Sequence, residues 1–508
     1  MNDEFDSFPA ERPSIEELTE LAPRCTDAAN ADAFVRRHGS GFRYVVEWDS
    51  WLAWNDKRWC RTGSSVLVFR AAVLVARECY VETKAVIAGM EEELRVARLA
   101  GDKDQEEKLD GLIKWQTYLL KWHEQSQNAN KVSACIQVLR TLLPVTLAEL
   151  DACPWLFNVD NGTIDLRTAE LLDHTREHLI TQISGIDWDS NAQCPTWDAF
   201  LSAAMGGDTH LVLYLQRLIG YALTAETREH ILLFLWGGGR NGKSTFLRTV
   251  QAIFGEYGCS APRDLLFQPK NGGAPHPTEL ARLYGKRLAV GAELGEHHRF
   301  DEAKVKDLTG GDVIACRRMN EDWWEYRPTH TIFLAGNHKP HLSGDDTGIW
   351  RRMRLIPWTV TVAESDVDTE LPERLRRELP GILRWAVHGC LEWLRIGLAE
   401  PPAILEATAE YRLESDVLGM FLREHCYFEC EATIQRKDIR ERYERWSKEN
   451  GHEPVGGRRL ATRLKEHGVT ACDVRRGSVV SSGWRGVRLL REEEKYASSL
   501  PSSDEPSN

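Results

Sequence analysis

Three rhythms of apolar and polar positions divide this chain, and each predicts its own kind of structure. Through the middle run short continuous apolar stretches, at 231–236, 287–292, 331–336 and 355–358. Runs of that length, bounded by glycine and charge, read as strands buried on both faces of a parallel sheet. Helical periodicity lies between them, most clearly over 245–254, so the middle of the chain predicts a layered α/β domain. From 64 to 143 the period is helical almost throughout, and its centre, 90–109, mixes Glu, Arg and Lys around Gly101-Asp102. That pattern predicts a solvated helical hairpin whose charges need no further role.

Shorter β-like text flanks the helices. Residues 38–46 and 51–59, with Asn55-Asp56 at the turn, predict a hairpin that displays its tryptophans. Residues 157–159 and 163–166 face each other across Asn161-Gly162, a tight-turn signal. A helical segment opening at Cys194-Pro195 and running to Tyr221 leads into the first apolar run. A second hairpin is predicted from 313–319 and 323–326, turning at Asn320-Glu321-Asp322. Over 417–490 the order is a charged helix, a second helix opened by Gly456-Gly457 and stopped by Gly468, then basic strands. Helix, helix, basic hairpin is the order of a winged helix, in which the second helix enters a major groove and the hairpin touches phosphates. Docking onto a protein is the alternative use of such a domain. The polar ends, 1–30 and 491–508, predict a mobile N-terminus and a disordered tail.

At 508 residues the chain has length for about three domains. Its formal charge of −13 repels phosphate as a whole, so any contact with nucleic acid must rest on local basic patches. The twelve cysteines lack paired spacing apart from Cys426 and Cys430, which argues against zinc and for reduced thiols. No apolar run approaches the roughly 18 residues of a membrane span, and Met1-Asn2-Asp3-Glu4 does not open a signal peptide. A cytoplasmic setting without membrane partners follows as the expectation. The eighteen tryptophans predict core and interface anchors rather than stacking platforms.

The chemistry concentrates where the first apolar run breaks into Gly237-Gly238-Gly239-Arg240-Asn241-Gly242-Lys243-Ser244-Thr245. Gly237 to Ser244 fits the phosphate-loop pattern G-x-x-x-x-G-K-[ST] without a mismatch. Glycines let backbone N–H groups turn inward around phosphates, Lys243 sets a compact charge on the β- and γ-phosphates, and the Ser244 hydroxyl can ligate Mg²⁺. ATP with Mg²⁺ is the expected ligand. Glu293, at the end of the second run, is placed to hold Mg²⁺ or polarise an attacking water, with Glu296 a weaker candidate. Asn337, at the end of the third run, is placed to contact a γ-phosphate or orient that water. Arg351 and Arg352 precede the fourth run on a turn from which they could reach a neighbouring subunit's γ-phosphate.

The ordered set of these motifs resembles a superfamily 3 helicase of the phage and plasmid primase type, related to the poxvirus primase-helicase. The resemblance rests on 237–245, on 286–293, on Lys306-Asp307-Leu308-Thr309-Gly310-Gly311-Asp312 with Arg317, on Asn337-His338-Lys339-Pro340, and on Ile349-Trp350-Arg351-Arg352. Residues 158–167 and 401–416 resemble the flanks of that family's core, so the likeness runs from about 35 to 425. It implies an AAA+-like ATPase core over 191–370, after a poxvirus-type N-terminal region at 31–190. A helical connector at 371–416 would then lead to the winged-helix-like domain at 417–490. Lys243 and Ser244 become Walker A, Glu293 the Walker B carboxylate, Asn337 the sensor, and Arg352, with Arg351 as its alternative, the arginine finger. The family's hexameric rings encircle single-stranded DNA at the fork. Here Arg317 and Arg318, with Lys304 and Lys306 close by, take the place of its channel hairpin. The winged-helix reading assigns duplex contacts to Arg458, Arg459, Arg463, Arg475 and Arg476.

Two departures stand out. Ala292-Glu293 offers one Walker B carboxylate where the family has an acidic pair. Primer-making relatives carry a long polymerase-type domain ahead of this region, and residues 1–150 show no closely paired metal-binding aspartates on a strand. Primer synthesis by this chain is not expected, and a separate primase or replication initiator is the expected partner. The resemblance implies a replicative motor of a phage or related mobile element in a bacterial host. A replication-initiator or loading scaffold that uses ATP only for assembly stays open beside it, as does a motor acting on RNA.

Overall fold

The computed structural model describes residues 25–262, 265–268, 277–294, 299–319, 321–342, 346–477 and 479–490. The four apolar runs form four strands of a five-stranded sheet, named here β1 (Leu232–Trp236), β2 (Gly258–Ser260), β3 (Leu288–Leu294), β4 (Thr331–Gly336) and β5 (Met353–Pro357). Their order is β5-β1-β4-β3-β2, and every neighbouring pair is parallel. The expected α/β class with a parallel sheet is borne out. β2 alone is not an apolar run, because it is a three-residue edge strand with only one paired side.

Alternation along each strand builds two cores, one on each face. Leu233 and Leu235 of β1 join Phe333 of β4 and Ile356 of β5 on one side. Leu232 and Phe234 join Ile332, Leu334 and Leu355 on the other. The first face is covered by helices Lys243–Phe254, Thr209–Leu223 and Leu379–Ile396. The last two approach at backbone contact: a Cβ at Gly389 would lie 2.0 Å from the carbonyl oxygen of Gln216. The second face is covered by the N-terminal sheet, the helix Glu302–Thr309 and aromatic residues of the hairpin Ile314–Cys316/Trp324–Tyr326.

The N-terminal part begins with helix Asp27–His38 and a sheet whose strands run Trp59–Cys60, Ser50–Trp54, Phe42–Val45 and Pro144–Val145. The charged text forms two helices, Ser64–Ala100 and Lys103–Gln125, packed on each other and joined by Gly101 in the left-handed conformation (φ 73°). The expected solvated hairpin is therefore observed. The expected display of tryptophans on the first hairpin is not. Trp51 and Trp59 are buried and Trp54 half-buried. Trp48, beside them, packs edge-on against Tyr284 and Trp324, residues of the sheet's second face. These rings lock the N-terminal sheet onto the central one. The hydrophobic cores consequently run across positions 190 and 370: Phe157 and Ile164 share a core with Trp197, and that core also takes in Trp385 and Trp393.

Residues from 417 onward have a core of their own, centred on Phe421, Tyr443, Leu464 and Trp484. Helices Val417–His425, Arg436–Glu449 and Gly457–Glu466 pack there against a sheet of Thr433–Gln435, Val479–Arg485 and Thr470–Arg476. The tail and residues 1–24 lie outside the described residues. No helix among the described residues is long and apolar enough to cross a membrane.

One buried group gives the fold a pH signature. His330, just ahead of β4, is 3% exposed, and neither ring nitrogen has a hydrogen-bond partner among the described residues. Burial lowers its pKa to about 4. The unfolded chain, with an ordinary histidine near 6.5, takes up this proton first as the pH falls. Stability is then whole above about pH 6.5 and declines towards pH 4, by about 2 kcal/mol at pH 5. Urea unfolding at pH 7.5 and pH 5 should show that loss, and His330→Leu should shrink it by about that amount.

Candidate functional site

The carboxyl edge of a parallel sheet gathers the loops that follow its strands. Here β1 pairs with β4 so that Trp236 faces Gly336, which sets Gly237 beside Asn337. The phosphate loop and the expected sensor thus emerge side by side. The loop makes a sharp turn with Arg240 and Gly242 at φ 57° and 84°. Gly237 cannot be larger, because its Cβ would lie 2.0 Å from the carbonyl oxygen of Trp358. Asn241 fastens the turn by donating from Nδ2 to that same carbonyl at 2.8 Å.

Lys243 is the first residue of helix Lys243–Phe254, whose N-cap, Gly242, offers no side-chain acceptor. The first-turn N–H groups therefore face the cavity without a side-chain cap, the arrangement that takes anions. The Lys243 side chain folds back over the loop. Its Nζ donates to the carbonyls of Gly237 and Gly238 at 2.7 and 2.8 Å, to Asn241 Oδ1 at 3.0 Å and to Asn337 Oδ1 at 3.3 Å. All four acceptors are neutral, and burial pulls the ammonium below its ordinary pKa. A buried cation held only by neutral oxygens is a site poised for an anion.

The loop, Asn337 and His338 surround a cavity of about 840 Å³, within the size range of nucleotide-sized ligand pockets. Ser244 is exposed at its wall, placed to ligate a metal carried in with phosphates. The residues present fit ATP with Mg²⁺. Glu293, one residue before the end of β3, lies on the same edge by its backbone register, in which Leu294 faces Gly336. Its side chain, and the whole of Glu296, lie outside the described residues. Arg248 is a contributor that the sequence reading missed. It lines the cavity, exposed, one helical turn beyond Ser244. The i, i+4 spacing on the loop's helix was the available signal.

Arg351 and Arg352 sit at the opposite edge. Met353 pairs with Leu232, so both arginines precede the amino end of β5 while the phosphate loop follows the carboxyl end of β1. Five residues of strand separate the two levels, roughly 17 Å at the usual rise. Arg351 is exposed. Arg352 is half-buried, donates from Nη1 to the carbonyl of Gly348 at 3.0 Å, and keeps a buried Nε without a partner among the described residues.

The basic residues expected to meet DNA divide into exposed and committed groups. Arg317 is exposed at the hairpin's tip, 5.1 Å from the Trp323 ring, with Met319 and Trp323 exposed beside it. Arg318 points inward over Trp48 at 4.7 Å and pairs with Glu321 at 3.5 Å. Lys304 pairs with Asp301 at 3.5 Å, and Lys306 pairs with Asp346. In the C-terminal domain Arg458 and Arg475 are exposed, while Arg459 is half-buried. Arg476 pairs with Asp438 at 2.9 Å. Arg463 bonds Asp416 at 2.7 Å and Glu466 at 3.0 Å, fastening its helix to the end of helix Pro402–Ser415.

Parts of this chain match known families and proteins. Residues 31–206 match the family described as D5 N terminal like, and residues 235–352 match a family of unknown function. A protein of Acanthamoeba polyphaga mimivirus, provisionally named helicase L207/L206, is 21% identical over 396 residues, 74% of this chain and 40% of its own length. A protein of African swine fever virus, provisionally named primase C962R, is 26% identical over 212 residues, 40% of this chain and 22% of its own. The provisionally named helicase 022R of Frog virus 3 is 24% identical over 285 residues, 53% of this chain and 29% of its own. The chain thus spans well under half the length of these relatives. They come from large DNA viruses rather than phages. Among solved structures, the A-form apo C-terminal region of NrS-1 covers 89% of this chain and 98% of its own at 11% identity, with a TM-score of 0.45. The matches bear out the likeness to primase-helicases read from the motifs.

Proposed function

We propose that this relative of the primase-helicases of large DNA viruses is an ATP-driven DNA motor, working as a ring around single-stranded DNA. The observation that carries the reading is the union of phosphate loop, Lys243 and Asn337 at one sheet edge, with Arg351 and Arg352 at the other. A subunit so built holds one half of an ATPase site at each end, and a closed ring of such subunits joins the halves. Six copies is the number the family resemblance implies. The all-parallel sheet with the loop strand between β4 and β5 supports the AAA+-like core of that resemblance.

In the proposed chemistry, water attacks the γ-phosphorus in line and the β–γ bridging oxygen leaves. Mg²⁺ would supply charge neutralisation on the phosphate oxygens, with Ser244 and Glu293 as its protein contacts. Lys243 leaves its carbonyl cage for those oxygens, Asn337 orients the water, and the neighbouring subunit's arginine stabilises the spreading charge. Loop N–H groups hold the phosphates against the helix's positive end. The C-terminal domain, with three helices and a basic hairpin, supports the winged-helix reading, and its exposed Arg458 and Arg475 are its best-placed phosphate contacts. The second reading is an ATP-binding initiator or loading scaffold, favoured by the lone Walker B carboxylate.

The hairpin geometry splits the DNA prediction in two. Arg317→Ala should weaken single-strand binding and lower the slope of log affinity against log salt by about one unit, since one phosphate contact is lost. Arg318→Ala should lower the melting temperature, because its guanidinium packs between Trp48 and Glu321. Fluorescence anisotropy across a salt series, with a thermal melt of each variant, checks both. An unchanged slope in Arg317→Ala would remove this hairpin from the DNA path.

A further inference from the structure

Under the same hairpin lies a second cavity, of about 340 Å³, that ATP turnover leaves without a role. The N-terminal sheet, the segment 278–286 and the hairpin close around it. Five cationic side chains line it: Arg58, Arg61, Arg282, Lys286 and Arg318. Two carboxylates answer them. Glu256 accepts from Arg58 at 2.6 Å, and Glu321 accepts from Arg61 at 3.0 Å and from Arg318 at 3.5 Å. Among the described residues, Lys286 Nζ bonds neutral oxygens alone, Gln182 Oε1 and the carbonyl of Glu256. Arg282 is exposed and makes no ion pair among the described residues.

A third acid, Asp151, stands behind the wall with both oxygens committed to Thr181, and burial raises its pKa. Among the described residues, five cations against three carboxylates leave a surplus of two charges, in a chain whose total is −13. Crowding like charges in a part-buried space costs free energy in both repulsion and lost hydration. Burial accordingly pulls Lys286 and Arg318 below their ordinary values. Trp48 adds a buried indole N–H without an acceptor among the described residues.

We propose that this cavity is a phosphate-binding site, separate from the phosphate loop, which takes the phosphate groups of a nucleotide or of a nucleic-acid strand. Its selectivity is for charge rather than base. Trp48 and Trp59 wall the cavity but are more than nine-tenths buried, and Arg61, Arg318 and Arg43 lie over their rings. Arginine forks beside a compact lysine suit phosphate oxygens arriving from several directions.

The test is calorimetric titration with pyrophosphate in the Lys243→Ala protein, where the phosphate loop has lost its cation. One equivalent should bind, and its affinity should fall at least tenfold on adding Arg282→Glu, a change at an exposed residue. Lys286→Met should do the same, with thermal melts showing that both variants fold. Titration with ATP and a salt series with unlabelled single-stranded DNA in the same background then separate the sources. An ATP equivalent lost with Arg282→Glu identifies the nucleotide. A lower DNA salt slope in that variant identifies the strand. No pyrophosphate binding, or binding untouched by both variants, overturns the proposal.

Discussion

Lys243→Ala protein is expected to turn over ATP about 10²–10³-fold more slowly than the natural chain, or not measurably. The reason lies in what surrounds the ammonium. Its four acceptors are neutral oxygens, two from the loop itself and two from asparagines, so its charge is not cancelled locally. That uncancelled charge is available to the β- and γ-phosphates, where negative charge shifts as the bond to the leaving oxygen breaks. Alanine removes it and leaves two loop carbonyls without their donor, so nucleotide affinity should fall as well. Lys243→Arg should rescue little, because a planar fork does not fit among carbonyls gathered around a point charge. Duplex binding by the C-terminal domain, which has its own core, should be unchanged in the full chain. Turnover near the natural rate would mean that another site hydrolyses ATP.

The larger effect is expected from the arginines ahead of β5. An arginine completing a neighbour's site contributes about 10³–10⁵ in rate, or about 4–7 kcal/mol of transition-state stabilisation. Neither Arg351 nor Arg352 can do this for its own loop, from which a strand's length separates them. Arg352→Ala should therefore be nearly inactive while its ATP affinity changes far less, since the group serves the transition state. Mixing it with Lys243→Ala should restore part of the ATPase, because some interfaces then pair an intact lysine with an intact arginine. Arg351 is the more exposed of the two and Arg352 the one already bonded to Gly348. The same experiment with Arg351→Ala tells which of them reaches the neighbour. Exchange of subunits without rescue at any ratio, for either variant, would contradict a shared site.

What the sequence revealed and what it hid follow from the range of the interactions. The phosphate loop was legible because its chemistry is local: glycines, lysine and serine act within nine consecutive residues. The buried strands were legible because a sheet covered on both faces demands apolar text without alternation. The charged helical hairpin announced itself by period and by Gly101. The tryptophans near residue 50 were misjudged because their partners lie far along the chain, Trp48 meeting Tyr284 and Trp324. The same distance hid the commitments of Arg318 to Trp48 and of Arg463 to Asp416. A run of basic residues cannot reveal which of its members already has a carboxylate folded against it. Arg248 was overlooked for the opposite reason, since its tie to the loop is only one helical turn.

Strand displacement on forked DNA shows whether the protein is an ATP-driven motor. Duplexes with a 3′ or a 5′ single-stranded tail are incubated with Mg²⁺ and ATP, beside parallel reactions with Lys243→Ala protein. Separation of the strands is expected on one of the two substrates, dependent on ATP and absent in the variant. Failure to unwind either substrate would contradict the motor function, and ATP bound but hardly turned over in the same reactions would leave the initiator or loading scaffold as the function of this chain.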